Sequence, residues 1–269
     1  MTSPYFTEVS KGKDEKWLLD EKYGGLRNPR FEADVKRLAS GEPLSYVIGH
    51  QPFMGLTIYL DSHPLIPRPE TEWWTEKLVS SLQEQEAAVR LLDLCAGSGA
   101  IGCAALASLP YMEVFFGEID PAHETIIRKN IRENHLDESR THISIGDLFE
   151  PFENMTFDII AANPPYVPAG RTLEQSVADY EPALALRAGD DGLAIIRRIA
   201  TELPKHLTKS GVAWIEVDSA HAAAPTPEGI GAPTESVGAA CALFTSQGLA
   251  AEIRTDQYGA PRVILVSFP

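Results

Sequence analysis

From residue 89 onward, short apolar runs alternate with amphipathic stretches. Residues 89–95 are a near-continuous apolar run that ends in a glycine-rich turn, and residues 100–109 read as a small-residue helix. Residues 113–119 predict a second strand. Residues 121–135 predict a second helix, opened by Pro121, whose missing N–H is harmless in a first turn. A third strand spans 142–145, and a fourth, 157–162, runs into Asn163-Pro164-Pro165-Tyr166. A loop to about Gly189, a helix over 192–206 and a strand over 212–217 follow. Residues 219–233, rich in Ala, Pro and Gly, read as a mobile insertion. A helix over 235–247 and strands over 250–254 and 262–268 come last. Strands that are apolar on both faces and separated by helices predict an α/β fold. Its core would be a mostly parallel seven-stranded sheet with helices on both sides. No helix separates the last two strands, so the final one is expected to run antiparallel.

Upstream the pattern changes. Residues 14–22 carry Trp17, Leu18 and Leu19 among charges; after the start signal Asn28-Pro29, Phe31, Val35 and Leu38 recur at helical spacing up to Gly41. A helical segment this short and polar must dock on something larger. Alternation and β-branching over 46–60 suggest a hairpin. Pro64, Pro67 and Pro69 then force an extended path, and a helix from Thr71 to about Gln85 carries Trp74, Leu78 and Leu82 on one stripe. We therefore expect a small helical segment with a hairpin linker in residues 1–70 and the α/β domain in residues 71–269.

Charge and cysteine usage remove several classes. Lys plus Arg is 23 against 38 Asp plus Glu, a net charge of −15 over 269 residues, which argues against a broad basic face for nucleic acid. No apolar run is long enough to span a membrane, and residues 1–22 lack the features of a signal or transit peptide, so a cytoplasmic protein is expected. Cys95, Cys103 and Cys241 have neither metal-ligand spacing nor an even count. They read as buried free thiols in a reducing compartment, with no metal site.

Two motifs carry chemistry. In Asp93-Leu94-Cys95-Ala96-Gly97-Ser98-Gly99-Ala100-Ile101-Gly102, the three glycines fit G-x-G-x-x-G, a spacing that brings backbone close to a ligand at a helix N-terminus. The pattern alone allows a dinucleotide site. It equally allows a methyl-donor site, in which Asp93 and the backbone of residues 95–99 meet the methionine end of S-adenosylmethionine. Both readings expect an acid after the next strand to bind ribose. Glu118 sits at the strand tip and takes that role, with Asp120 as a helix cap. Asn163-Pro164-Pro165-Tyr166 follows an apolar strand at the carboxyl edge of the sheet. Neither proline has an N–H, so the chain is held extended with free carbonyl acceptors. The asparagine adds an amide and the tyrosine a flat face. That set grips a planar group bearing –NH2 and aims its nitrogen at an electrophilic methyl, which is catalysis by orientation.

Together these motifs resemble a class I S-adenosylmethionine-dependent methyltransferase with a Rossmann-like sheet. Three stretches narrow the resemblance: residues 42–49 (Glu42 to Gly49), Leu65-Ile66-Pro67-Arg68-Pro69-Glu70-Thr71-Glu72, and Tyr180-Glu181-Pro182-Ala183-Leu184-Ala185-Leu186 with Asp191-Gly192-Leu193. They are similar to the HemK/PrmC family, which methylates the glutamine of the Gly-Gly-Gln (GGQ) motif in peptide chain release factors. The resemblance implies cofactor contacts from Cys95, Ala96, Gly97, Ser98, Gly99, Glu118, Asp147, Leu148 and Asn163. It implies that Asn163, Pro164, Pro165 and Tyr166 hold the glutamine, with Asn163 and Tyr166 catalytic. The family often has glycine where Cys95 stands and aspartate where Glu118 stands. Arg68, next to this site, is assigned to positioning of cofactor, substrate or loop.

Other residues have plainer readings. Trp73 and Trp74 are expected in packing, His50 and His63 in solvated or structural positions, and Arg128, Lys129 and Arg132 on a solvated helix face. Within the same chemistry, a ribosomal-protein glutamine or a nucleic-acid adenine amino group is an alternative acceptor. A nicotinamide-dependent oxidoreductase would leave residues 163–166 unexplained, and intact motifs at both sites speak against a non-catalytic binding module.

Overall fold

A computed structural model describes residues 11–84, 88–217 and 235–269. The expected insertion at 219–233 lies outside the described residues, and the helix expected to run from Thr71 to about Gln85 spans Pro69–Leu82. The described residues open with three helices, α1 (Lys11–Tyr23), α2 (Pro29–Ala39) and α3 (Leu44–Ile48). Asn28 caps α2 by accepting from the amides of Arg30 and Phe31. Leu18, Phe31 and Val47 make a small core for the three. The helix α3 corrects the sequence expectation, which placed residues 46–48 in the hairpin. Gly49, at φ 102°, ends that helix in the left-handed region, and only then do β1 (His50–Phe53) and β2 (Leu56–Tyr59) pair.

The main sheet is built from β3 (Val89–Leu94), β4 (Met112–Glu118), β5 (Thr141–Ile145), β6 (Phe157–Ala162), β7 (Leu207–Glu216), β8 (Ala250–Thr255) and β9 (Pro261–Ser267). Their order is β5-β4-β3-β6-β7-β9-β8. All neighbours among the first five are parallel, and β9 runs antiparallel to both β7 and β8, as expected for the final strand. The strands are apolar at consecutive positions because both faces are covered. Leu91, Phe116 and Ile159 face α4 (Pro69–Leu82), α5 (Ala100–Ser108) and α6 (Ala122–Glu133); their neighbours Leu92, Phe115 and Ile160 face α9 (Ala194–His206) and α10 (Glu235–Thr245). Strand β7 starts five residues earlier than its apolar stretch announced, because Leu207 already pairs with Phe157.

The hairpin belongs to this body. Phe53, Ile58 and Leu60 share one apolar cluster with Trp74 and Leu78. Its open edge is closed by side chains: Asn130 and Asn134, one turn apart at the end of α6, accept from the amides of Tyr59 and Thr57 and donate to the same residues' carbonyls. Two amides thereby replace a missing strand. The stretch read as loop up to Gly189 holds two short helices, α7 (Gln175–Tyr180) and α8 (Ala183–Leu186). The second follows Pro182, and neither is long enough to show helical periodicity. Among the described residues no helix is long and apolar enough to cross a membrane.

Candidate active site

The strand order reverses between β3 and β6, which pair side by side, so the turn after Leu94 and the loop after Ala162 leave the sheet together. Clefts in open α/β sheets form at such a switch point. A cavity lies there, lined by Leu65, Cys95, Gly97, Glu118, Asp147, Leu148 and Asn163, with Asp120, His123, Pro165, Pro182, Leu184 and Ala185 around them. The short helix α8 supplies Leu184 and Ala185, so this unpredicted element forms part of the wall.

The glycine-rich turn divides its labour. Gly97 lines the cavity, and a Cβ there would meet only Pro64, at 3.9 Å. Gly99 and Gly102 face inward instead: a side chain at either would press on Phe116, and at Gly99 on Ile127 as well. Their absence of side chain lets α5 approach the sheet, and Gly99 also holds φ 76°. Cys95 is a non-glycine residue at φ 62° and, like Cys241, is only partly buried; Cys103 alone matches the expected fully buried thiol. The reason is position, since Cys95 forms the cavity wall. Ala96 and Ser98 are buried behind the turn and, with Asp93, do not reach the cavity lining.

Asp93 is fully buried. Its Oδ2 accepts from the Gly102 amide at 2.9 Å, while Oδ1 has no partner. Burial pushes its pKa up to about 8, against the Gly102 bond, and the nearby Glu118 charge adds to the rise. Glu118 spans two turns: Oε2 accepts from the Gly97 amide at 2.7 Å and Oε1 from the Asp120 amide at 2.9 Å. Each oxygen keeps a lone pair for a ligand hydroxyl. Asp120 accepts from the Ala122 amide, but it is not the helix cap that was expected: α6 begins at Ala122, and Pro121 holds the N-cap position. Asp147, half-exposed, pairs with Arg198 at 2.9 Å.

Among the described residues the lining carries Glu118, Asp120 and Asp147 but no lysine or arginine. A pyrophosphate would meet carboxylates without a cation, whereas a sulfonium or ammonium meets complementary charge. The residues present therefore fit S-adenosylmethionine better than a dinucleotide.

The segment of residues 163–166 divides two clefts. Asn163 and Pro165 line the main cavity; Tyr166 lines a smaller cleft with Pro168, Gly192 and Leu193. A side chain at Gly192, which has φ 74°, would run into the Tyr166 carbonyl, so that position tolerates only glycine. Asn163 Nδ2 donates to Thr71 Oγ1 at 3.2 Å, and Thr71 in turn donates to Glu216 Oε2 at 2.7 Å. Trp74 Nε1 donates to the same oxygen at 2.7 Å, and Tyr166 Oη donates to Glu216 Oε1 at 3.2 Å. Burial pushes the Glu216 carboxyl pKa up; the Trp74 and Thr71 bonds, the Arg262 charge and the Tyr166 bond pull against it. Sequence reasoning missed Thr71, Glu216 and Arg262. An acid at the end of the strand over 212–217 was the available signal.

Arg68 does not line the cavity. It bonds Glu181 Oε1 at 2.5 Å, while Glu181 Oε2 accepts from the Ile66 amide at 3.2 Å. The Pro-Arg-Pro stretch is thus tied to the segment that leads into α8, 113 residues away. Trp74 packs on Trp214, as expected of a packing residue. Arg128 and Arg132 lie exposed beside Glu124 and Glu133.

Residues 71–180 match the methyltransferase small domain family. The chain is 35% identical over 232 residues to the release factor glutamine methyltransferase of Geobacter sulfurreducens, covering 86% of this chain and 75% of that one. It is 35% identical over 179 residues to the release factor glutamine methyltransferase of Chlamydia trachomatis serovar L2, covering 66% of this chain and 60% of that one. Among solved structures, a methyltransferase from Pyrococcus furiosus shares the fold with a TM-score of 0.53 at 16% identity, over 86% of this chain and 95% of that chain.

Proposed function

This chain belongs to the release factor glutamine methyltransferase family, and we propose that residues 163–166 hold the acceptor glutamine where the cofactor cavity opens. The enzyme transfers a methyl group from S-adenosylmethionine to the side-chain amide nitrogen of a glutamine in peptide chain release factors, and its fold is that of class I methyltransferases. The glutamine is that of the Gly-Gly-Gln motif. Bound S-adenosylmethionine supplies an electrophilic methyl on a sulfonium. Gly97 and Cys95 would border it, Glu118 would accept from its ribose, and Leu148, Asp147 and Asn163 would complete the wall.

The work left to the protein is orientation. An amide nitrogen is a poor nucleophile because its lone pair is delocalised. Acceptors on its hydrogens favour positive charge building on nitrogen in the transition state. Asn163 Oδ1 and the Pro164 carbonyl are such acceptors. The Tyr166 ring, tethered through its hydroxyl, offers a flat face to the glutamine plane. Arg68 acts at a distance, by fixing the path of the chain that enters α8.

The observation that carries this reading is the state of Asn163. It lines the cavity and its nitrogen is committed to Thr71, which leaves its oxygen as the acceptor. Incubation with labelled S-adenosylmethionine and a recombinant release factor, followed by mass spectrometric mapping, tests it. One methyl group on the Gly-Gly-Gln glutamine is expected, and label elsewhere or none would overturn the reading.

The helices α1–α3 are assigned to the body of the release factor. Trp17 and Leu26, 61% and 71% exposed, present apolar surface on this otherwise polar segment. Trp17→Ser is expected to raise KM for whole release factor and leave cofactor affinity unchanged by calorimetry. Equal losses in both would reassign the segment to folding.

A further inference from the structure

We propose that Glu216 is a positioning residue for methyl transfer, which sets the orientation of Asn163 through the Thr71 hydroxyl and that of Tyr166 directly. The inference rests on the assignment of residues 163–166 to the acceptor glutamine and concerns groups that touch neither substrate nor cofactor.

The argument is one of hydrogen-bond polarity. An asparagine amide can sit in either of two flipped states, and its surroundings decide which. A carboxylate accepts and never donates. Glu216 is 1% exposed at the end of β7, and its Oε2 takes hydrogen bonds from Thr71 and Trp74. The indole N–H can only donate, and the single hydroxyl proton of Thr71 is spent on Glu216. Thr71 therefore has only lone pairs to show Asn163, and the Asn163 nitrogen must be the atom that faces it. The amide oxygen is thereby turned to the opposite side. One buried carboxylate on β7 thus dictates, through a helix residue 145 positions earlier, which end of the Asn163 amide is offered to the cavity. The other carboxylate oxygen anchors the Tyr166 hydroxyl and with it the ring plane. Burial raises the Glu216 pKa and the Arg262 charge pulls against it, while the three donors aimed at the carboxyl make it the acceptor in this geometry.

The relay has two separable arms. Thr71→Val is isosteric and removes the arm to Asn163 alone. Glu216→Gln keeps the shape. Its carbonyl takes the position bonded by two donors, and its –NH2 faces Tyr166, whose hydroxyl must then accept. That variant reverses the Tyr166 arm and weakens the other.

The test measures kcat and KM for methylation of a recombinant release factor, S-adenosylhomocysteine affinity by calorimetry, and melting temperature. A silent wild type would overturn the functional reading itself, so the variants are judged against an active wild type. Thr71→Val is expected to lower kcat by about tenfold, with S-adenosylhomocysteine affinity within about threefold of wild type. Thr71→Ser should recover most of that loss. Glu216→Gln should lower kcat in the wild-type background and have little further effect in Thr71→Val/Tyr166→Phe, because both arms are already cut. Selective labelling of asparagine side chains adds a readout free of turnover: the Asn163 amide resonances should shift in Thr71→Val and return in Thr71→Ser. Wild-type kcat in folded Thr71→Val, or a Glu216→Gln effect that multiplies fully in the double-variant background, would overturn the proposal.

Discussion

The two loops that meet at the switch point are built by opposite means. The turn after β3 works through its main chain. Cys95, Gly97 and Gly99 hold positive φ, and the groups that support them (Phe116, Glu118, Ile127, Asn130) all come within about 35 residues of it. The loop after β6 works through its side chains. Its prolines stiffen it locally, but Asn163 and Tyr166 are oriented by Thr71 and Glu216, which lie 92 and 50 residues away. A backbone site can be specified by a short run of sequence because omitted side chains and permitted φ values are local properties. A side-chain site of this kind depends on what the sheet brings to it.

Substitutions should separate the two loops. The largest effect on turnover is expected at Asn163. Loss of one transition-state hydrogen-bond partner lowers rates by about 10²–10³-fold, or about 2.7–4 kcal/mol. Single-turnover methylation by Asn163→Ala at saturating cofactor should fall by that amount with little change in melting temperature. A near wild-type rate would reduce the loop to a structural turn.

The turn should respond through stability and cofactor affinity instead. In Gly102→Ala the new Cβ meets the ring of Phe116, which is fully buried and has no room to retreat. Overpacking of this kind costs about 1–3 kcal/mol. The melting temperature should drop together with S-adenosylhomocysteine affinity. Gly97→Ala makes an ordinary contact with Pro64 and meets only the strain of φ 55°, of order 1 kcal/mol, so affinity should fall with a smaller change in melting temperature. Equal melting temperatures for the two variants would contradict this division of the glycines.

A pH titration sharpens the contrast further. Asp93 has its pKa raised from 3.8 to about 8 in the fold. A raised carboxyl pKa means that the folded state holds a proton the unfolded chain has released. The stability this contributes is fully present below pH 3.8 and is lost as pH rises through about 8. Asp93→Asn cannot titrate. The melting temperature of wild type relative to Asp93→Asn should therefore decline between about pH 5 and pH 9. Parallel curves would mean that Asp93 is ionised throughout.

The same contrast explains how far the sequence could be read. The strands, the parallel sheet and the antiparallel last strand follow from apolar runs and the missing final crossover, which are local patterns. The Asn28 cap, the buried stripe of Trp74, Leu78 and Leu82, and the convergence of Gly97, Glu118, Asp147, Leu148 and Asn163 on one cavity were legible for the same reason. Residues 44–48 were not, because β-branched residues at a single helical turn look like a strand. The role of α8 as a wall was hidden by its length of four residues. Asp93 and Ser98 are buried, and a side chain at Gly99 would meet Phe116 and Ile127; spacing alone does not tell which side of a turn a side chain takes. Thr71 lies in the stretch over 65–72 but nothing there marks its role, and Glu216 lies in no motif; their importance exists only once β7 lies beside β6.

The smallest expected effect tests the Tyr166 side of the comparison. Tyr166→Phe keeps the ring and gives up the hydroxyl, with its 3.2 Å bond to Glu216. A hydrogen bond of that kind contributes about 0.5–1.5 kcal/mol net, so turnover should fall by roughly two- to tenfold. Cofactor affinity should stay level, since Tyr166 lines the smaller cleft and not the cofactor cavity. Tyr166→Ala also removes the flat face and should lose much more activity. The informative quantity is the ratio between the two variants. A wide ratio means that the ring holds the glutamine and the hydroxyl merely sets its angle. A ratio near one, with both variants severely impaired, would move the role of Tyr166 from its face to its hydroxyl.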